Sequence, residues 1–101
     1  MEKIICAAIW YKDLADAIYR PINIDKGVVV CGHRHLHCIH ILVALIGKRS
    51  VAPEVGEYVQ GFLTDKNRFV DREEGAKIAL AAEQVDKLNF NKSRLYSEDL
   101  Y

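Results

Sequence analysis

Apolar positions fall in short β-branched blocks and in longer stretches at helical spacing. Lys3 to Tyr11, KIICAAIWY, is rich in β-branched and aromatic residues and too short for a typical helix, which predicts a buried strand. Lys12 to Asp25 mixes charges with Pro21 and Asn23-Ile24-Asp25, and reads as a loop with a short helical turn at Leu14 to Tyr19. Gly27 to Gly32 is a β-branched run bracketed by glycines, hence a second strand. The following HRHLHCIHILVALIGK loses strand alternation and predicts a helix entered through a tight turn. Its first half carries Arg34, His35, His37 and His40; from Ile41 to Ile46 it has no polar face. A helix that is apolar all round is buried, here most easily by another subunit. Gly47 with Lys48 and Arg49 suits its end.

Val51 to Gly56 contains Pro53 and reads as a loop. Tyr58 to Thr64 and Arg68 to Val70 read as strands joined by Asp65-Lys66-Asn67, whose Asp and Asn supply turn chemistry for a hairpin. Asp71 and Glu74 have the spacing of an N-cap and an acidic third position, so a helix is expected from Asp71 to about Val85. Gly75, Ile78, Ala79, Ala82 and Val85 form its stripe of mostly small residues, suited to close packing on a sheet. DKLNFNKSR from Asp86 reads as loop, and the tail LYSEDLY is aromatic and acidic together. The pattern amounts to one α+β domain over residues 1–101, a small antiparallel sheet with two main helices.

Composition narrows the function classes. A chain of 101 residues makes one domain and buries a modest core, so subunits that share a core are a natural source of added stability. Fourteen Lys and Arg balance fourteen Asp and Glu, which leaves no global cationic field for long nucleic acid. The longest apolar run, Ile41 to Gly47, falls far short of the roughly 20 residues of a membrane span. Met1 to Tyr11 carries no signal-peptide pattern, which suggests an unexported chain. Cys6, Cys31 and Cys38 do not form a disulfide framework, and a reducing cytosol fits them best.

Candidate chemistry lies in three places. Cys31 to His40 holds two cysteines and all four histidines, and imidazole and thiolate both bind zinc. His33 and His37 share a helical face, but no second Cys or His knuckle follows, so a zinc-dependent interaction module stands as an alternative and no metal is expected. The same strand-Gly-helix junction aims unpaired amides outward as an anion site, with Arg34 as a bidentate grip and His33 or His35 as a further donor. A second surface is Gln60-Gly61-Phe62 with Asn67-Arg68-Phe69, where Gly61 permits close approach and an aromatic ring can stack on a nucleobase. By alternation Phe69 faces away from Arg68 and Val70. Arg72, on the first turn of its helix, needs an offsetting anion or carboxylate. In the tail Arg94 can meet phosphate, while Ser97, Glu98 and Asp99 can bond ribose hydroxyls or amides; Ser97 capping a terminal turn is the plainer alternative. Cys31 or Cys38 beside histidines could be imagined as a nucleophile, but nothing completes a triad, so no catalytic residue is expected.

VVVCGHRHLHCI, QGFLTDKNRFVDREEGAKIA and LYSEDLY, in that order, resemble the phage family named Thoeris anti-defence type one, from about Ile4 to Tyr101. The resemblance implies a sponge that sequesters cyclic ADP-ribose-type signals, in some members cyclic oligonucleotides, and leaves them intact. It also implies an α+β homodimer or larger homo-oligomer in the cytoplasm of the infected host, without cofactor. Carried onto this chain, Phe62, Phe69, Asn67 and Arg72 would form one wall of the ligand site, and Arg94, Ser97, Glu98 and Asp99 another. A cyclic-nucleotide-cleaving enzyme is the rival within the same ligand class.

Overall fold

The computed structural model describes residues 1–14, 20–46 and 57–101. Four strands form one antiparallel sheet in the order β2-β1-β3-β4: β1 (Ile4–Tyr11), β2 (Val28–Gly32), β3 (Tyr58–Thr64) and β4 (Phe69–Asp71). Between β2 and β3 runs α1 (His35–Ile46); after β4 come α2 (Arg72–Ala81) and a terminal turn, α3 (Ser97–Leu100). The expected α+β class and both main helices are present. The helical turn at Leu14 to Tyr19, the Gly47 to Arg49 helix end and the Val51 to Gly56 loop lie in whole or in part outside the described residues.

Alternation along the strands decides which side chains meet the helices. Ala7, Ile9 and Tyr11 of β1, Val30 of β2, Phe62 of β3 and Val70 of β4 share one face, where Cys38 and Leu42 of α1 and Ala76, Ile78 and Ala79 of α2 close the main core. The opposite face carries Ala8 and Phe69, covered by Ile24 and flanked by Trp10, Val29, Cys31, Val59 and Leu63. Both helices therefore lie on one side of the sheet, and the segment leading into β2 shields the other.

The hairpin between β3 and β4 closes through three residues. Thr64 donates to the Arg68 carbonyl at 2.9 Å and Asn67 to the Thr64 carbonyl at 3.0 Å. Asn67 sits at φ 58°, the left-handed position such loops require and one that asparagine tolerates. Arg68, just before β4, makes a two-pronged pair with Glu2 at 2.8 and 2.9 Å. Together with the Thr64 hydroxyl, it holds the Glu2 carboxyl down at about 2.

β4 runs straight into α2 because Asp71 belongs to both: it ends the strand and caps the helix, accepting the Glu74 amide at 2.8 Å. The helix stops at Ala81 rather than near Val85. Glu83 turns left-handed at φ 58°, while Glu83 and Gln84 donate back to the Leu80 and Ala79 carbonyls, which completes a Schellman ending without glycine. Gln84, turned outward by this ending, clasps β1. Its Oε1 accepts the Ile4 amide and its Nε2 donates to the Ile4 carbonyl, both at 2.8 Å.

Among the described residues, the apolar α1 is covered on one side only. His35, Cys38 and Leu42 face the sheet, whereas Leu36 and Leu45 remain 58% and 75% exposed. The expectation of burial all round thus holds for half the helix within one chain.

Gly61 of β3 is required by β4. A Cβ there would lie 2.0 Å from the Val70 carbonyl oxygen, which is backbone and cannot swing aside. Phe69, 6% exposed, sets its ring edge-on to Trp10 at 6.1 Å. Gly61→Ala should therefore cost about 3 kcal/mol of stability by overpacking. Phe69→Ala should cost about 3–5 kcal/mol by leaving a cavity. Urea denaturation of each variant measures both losses.

Candidate functional site

Arg72 is the first residue of α2, where the helix dipole disfavours a cation. Glu73 and Glu74 in the same turn suit the dipole, but the Arg72 guanidinium turns away from them toward the sheet. Nη1 donates to the Leu95 carbonyl at 2.9 Å and Nη2 to Gln60 Oε1 at 2.6 Å. The plane lies over the Tyr96 ring, with Cζ 4.2 Å from its centroid. These partners are neutral, so they orient the positive charge without cancelling it. Burial pulls the Arg72 pKa below its ordinary value, Tyr96 and the Glu98 carboxylate oppose that shift, and the charge of Arg94 adds a smaller push in the same direction as burial, although guanidinium remains protonated.

Behind Arg72 stands His35, 8% exposed at the start of α1. One ring nitrogen, Nε2, lies 2.7 Å from the Gly61 carbonyl oxygen, which can only accept, so Nε2 carries the proton. That leaves Nδ1 as an acceptor for Arg72 Nη2 at 3.5 Å. The ring also sits edge-on to Phe62 at 5.1 Å. Burial lowers the His35 pKa below 6.5, and the neighbouring guanidinium adds to the shift. His35 is thus a neutral strut that ties α1 to β3 and braces Arg72.

On the solvent side of Arg72 opens a cleft of about 290 Å³ lined by Tyr58, Val59, Gln60, Asp71, Arg72, Glu73 and Arg94. A second hollow of about 420 Å³ is lined by Phe90, Tyr96 and Glu98. Phe90 and Tyr96 meet edge-to-face at 5.9 Å. The Arg72–Tyr96 stack joins the two hollows, so a cationic pair and an aromatic pair stand side by side. Such a surface can hold an anionic group next to a flat ring.

The residues singled out from sequence divide accordingly. Arg72 and Arg94 share the cleft, and His35 and Gly61 support Arg72 from behind. Phe62 is fully buried in the helix-side core and Phe69 lies on the opposite face, so the wall expected from Phe62, Phe69, Asn67 and Arg72 does not form within one chain. Strand alternation is the reason: Phe62 pairs with Val70 and Leu63 with Phe69. Asn67 lines a separate hollow with Arg20, Pro21, Val29, Cys31 and Leu63. Arg34 is engaged by the tail, donating to the Tyr101 carbonyl at 2.9 Å and pairing with Glu98 at 3.5 Å. Its own amide donates to His37 Nδ1 at 3.1 Å, so a histidine does the work of a capping-box acid at the helix start expected to bind an anion.

Ser97 is buried, and Asp99 spends its carboxylate on the Tyr96 and Asn89 amides at 3.0 and 2.9 Å. Tyr96, rather than Ser97, stands at the N-cap of the terminal turn. In the histidine cluster His35 faces the sheet and His37 serves its own helix start. Among the described residues no three His, Cys, Asp or Glu side chains gather as a metal site.

Sequence reasoning placed Gln60 on a candidate surface with Gly61 and Phe62 but missed Phe90 and Tyr96. Phe90, a lone aromatic in the polar run from Asp86 to Arg94, was the available signal for the second hollow.

These features define a small two-layer α+β protein with an arginine-aromatic surface at the start of its second helix. Its family model spans residues 3–101, and the chain belongs to the phage T4 y16D protein family. No curated protein and no solved structure matches it.

Because the folded His35 pKa lies below the unfolded value, the unfolded chain binds more protons near pH 6. The stability that neutral His35 provides is complete above about pH 6.5 and declines as pH falls toward its folded pKa. Urea midpoints measured from pH 7.5 to 5.5 should fall, and His35→Gln should flatten that slope.

Proposed function

We propose that this chain is a non-enzymatic phage anti-defence sponge that binds cyclic nucleotide immune messengers, glycocyclic ADP-ribose first and cyclic oligonucleotides second. It thereby suppresses Thoeris- and CBASS-type immunity in the cytoplasm of the infected host. The observation that carries this reading is the Arg72 guanidinium, held by neutral acceptors at a cleft it shares with Arg94, next to the Phe90–Tyr96 aromatic pair. The two arginines are matched to phosphates and the rings to a purine. Membership of a phage protein family supports the phage part of this reading, and the three-block resemblance supports the sponge.

A sponge needs slow release rather than turnover, and preorganised donors supply it. Arg72 is already oriented by Leu95, Gln60, His35 and Tyr96, so binding freezes little additional motion there. In this reading the chain needs no cofactor or metal. Its partner is a second copy of itself, packed on the uncovered face of α1 around Ile41 and Leu45.

Purified protein incubated with glycocyclic ADP-ribose, freed of unbound ligand and heat-denatured should release the intact messenger in near-stoichiometric yield by liquid chromatography and mass spectrometry. Altered product would make the chain an enzyme. Arg94→Ala, at an exposed position, should weaken retention about tenfold or more while leaving the fold unchanged by circular dichroism. Light scattering should give at least a dimer, and Leu45→Lys should reduce it to a monomer; a monomeric wild type would remove the oligomer from the proposal.

A further inference from the structure

Side chains occupy the open edge of the sheet at two places. On the outer side of β4, Asn23 takes both main-chain groups of Phe69: its Nδ2 donates to the carbonyl at 2.6 Å and its Oδ1 accepts the amide at 2.8 Å. On β1, beyond the end of β2, Gln84 holds Ile4 and the Tyr101 hydroxyl donates to the Ile5 carbonyl at 3.0 Å. The outer edge of β2 has no such cover among the described residues. Its sequence, Val28-Val29-Val30-Cys31-Gly32, holds no charge or proline to deter pairing.

The strand register fixes which β2 groups are open. Because Phe69 gives its groups to Asn23, Phe62 and Val70 are the pair that bond to each other between β3 and β4. Phe62 thus points its groups at β4, and Ala7, opposite it, points its own at β2. The Lys12 amide, bonded to the Glu57 carbonyl, keeps the same alternation on the β3 side of β1. Gly32, Val30 and Val28 therefore spend their groups on Ala7, Ile9 and Tyr11, while Val29 and Cys31 aim theirs outward.

α1 adds an apolar surface over the same edge. β2 and β3 are parallel with β1 between them, and such a crossover is right-handed. His35, Cys38 and Leu42 face the sheet. At about 100° per residue, Ile39 and Val43 then turn toward α2, and Ile41 and Leu45 toward the outer side of β2.

We infer that β2 pairs antiparallel with β2 of a second copy, Val30 opposite the partner's Val30, so that Val29 exchanges two hydrogen bonds with the partner's Cys31 and Cys31 two with the partner's Val29. The two-fold axis of this pair stands perpendicular to the sheet, so both α1 helices lie on one side and their Ile41–Leu45 flanks meet above the junction. Ile41 and Leu45, 42% and 75% exposed, are too few to supply the roughly 800 Å² per partner of a stable interface, and the strand edge adds to them. A strand from an unrelated protein would fill the edge and leave this flank bare; a second copy covers both. The pairing rests on the sponge reading for its purpose, and it forms without the messenger.

Light scattering of the wild type without nucleotide should give a dimer. In that dimer the Val29 and Cys31 amides should exchange with solvent as slowly as the Val30 amide, which is bonded to β1; in a monomer they would exchange about tenfold or more faster than Val30. Val29→Pro removes one outward amide and no bond to β1, a change an edge strand tolerates, and should give a folded monomer by circular dichroism and light scattering. Val29→Thr, which keeps the amide, should remain a dimer. A monomeric wild type, a dimer whose Val29 and Cys31 amides exchange much faster than Val30, or a dimeric Val29→Pro would each overturn the assignment. Wild-type exchange alone decides if the proline variant fails to fold. A dimer that retains no messenger would sink the sponge and not the pairing, and a monomer that retains it the reverse.

Discussion

A guanidinium taken half out of water must find acceptors, and Arg72 finds them on three different segments. Leu95 belongs to the tail, Gln60 to β3 and His35 to α1, while Arg72 itself opens α2. One side chain therefore cross-links elements that are far apart in sequence. The Leu95 amide returns a bond to the Arg72 carbonyl at 2.9 Å, so the tail is fastened in both directions. Removing any one acceptor would leave a buried charge short of partners, which is more costly than the bond itself. The position of Tyr96, and of the hollow beside it, follows from this demand.

Much of the framework was legible because it depends on local rules. The β1 and β2 runs, the Asp65-Lys66-Asn67 hairpin and the Asp71 cap each follow from backbone preferences of a few adjacent residues. The early end of α2 was not legible, since a glutamate takes the left-handed position usually reserved for glycine. The two phenylalanines near the hairpin show another limit. The family resemblance implied a shared wall for them, yet the period of the strand sends Phe62 and Phe69 to opposite faces. The alternation rule already set Phe69 against Arg68 and Val70, and it needed only the register of β3 to separate the rings.

The candidate site was legible in part for a different reason. Arg72 stood out as a cation in an unfavourable place, and the structure answers with neutral acceptors rather than a carboxylate. Arg94 could be joined to it only through the path of the tail, which no periodicity encodes. His35 and Gly61 appeared as ligand groups, whereas they support the site from behind, one as a bridge and the other as the space that admits β4. Tyr96 acquires its role from the fold of the last residues, where Asp99 pins its amide.

The clasp between Gln84 and Ile4 bears on how the sheet meets other proteins. A strand whose amide and carbonyl point outward at one residue offers a template on which another chain can add a strand. At Ile4 both groups are taken by a single side-chain amide, which presents the donor and acceptor of a peptide unit without any chain to continue from it. Gln84 acts as a one-residue counterfeit of a neighbouring strand, and so closes this end of β1 to edge-to-edge aggregation.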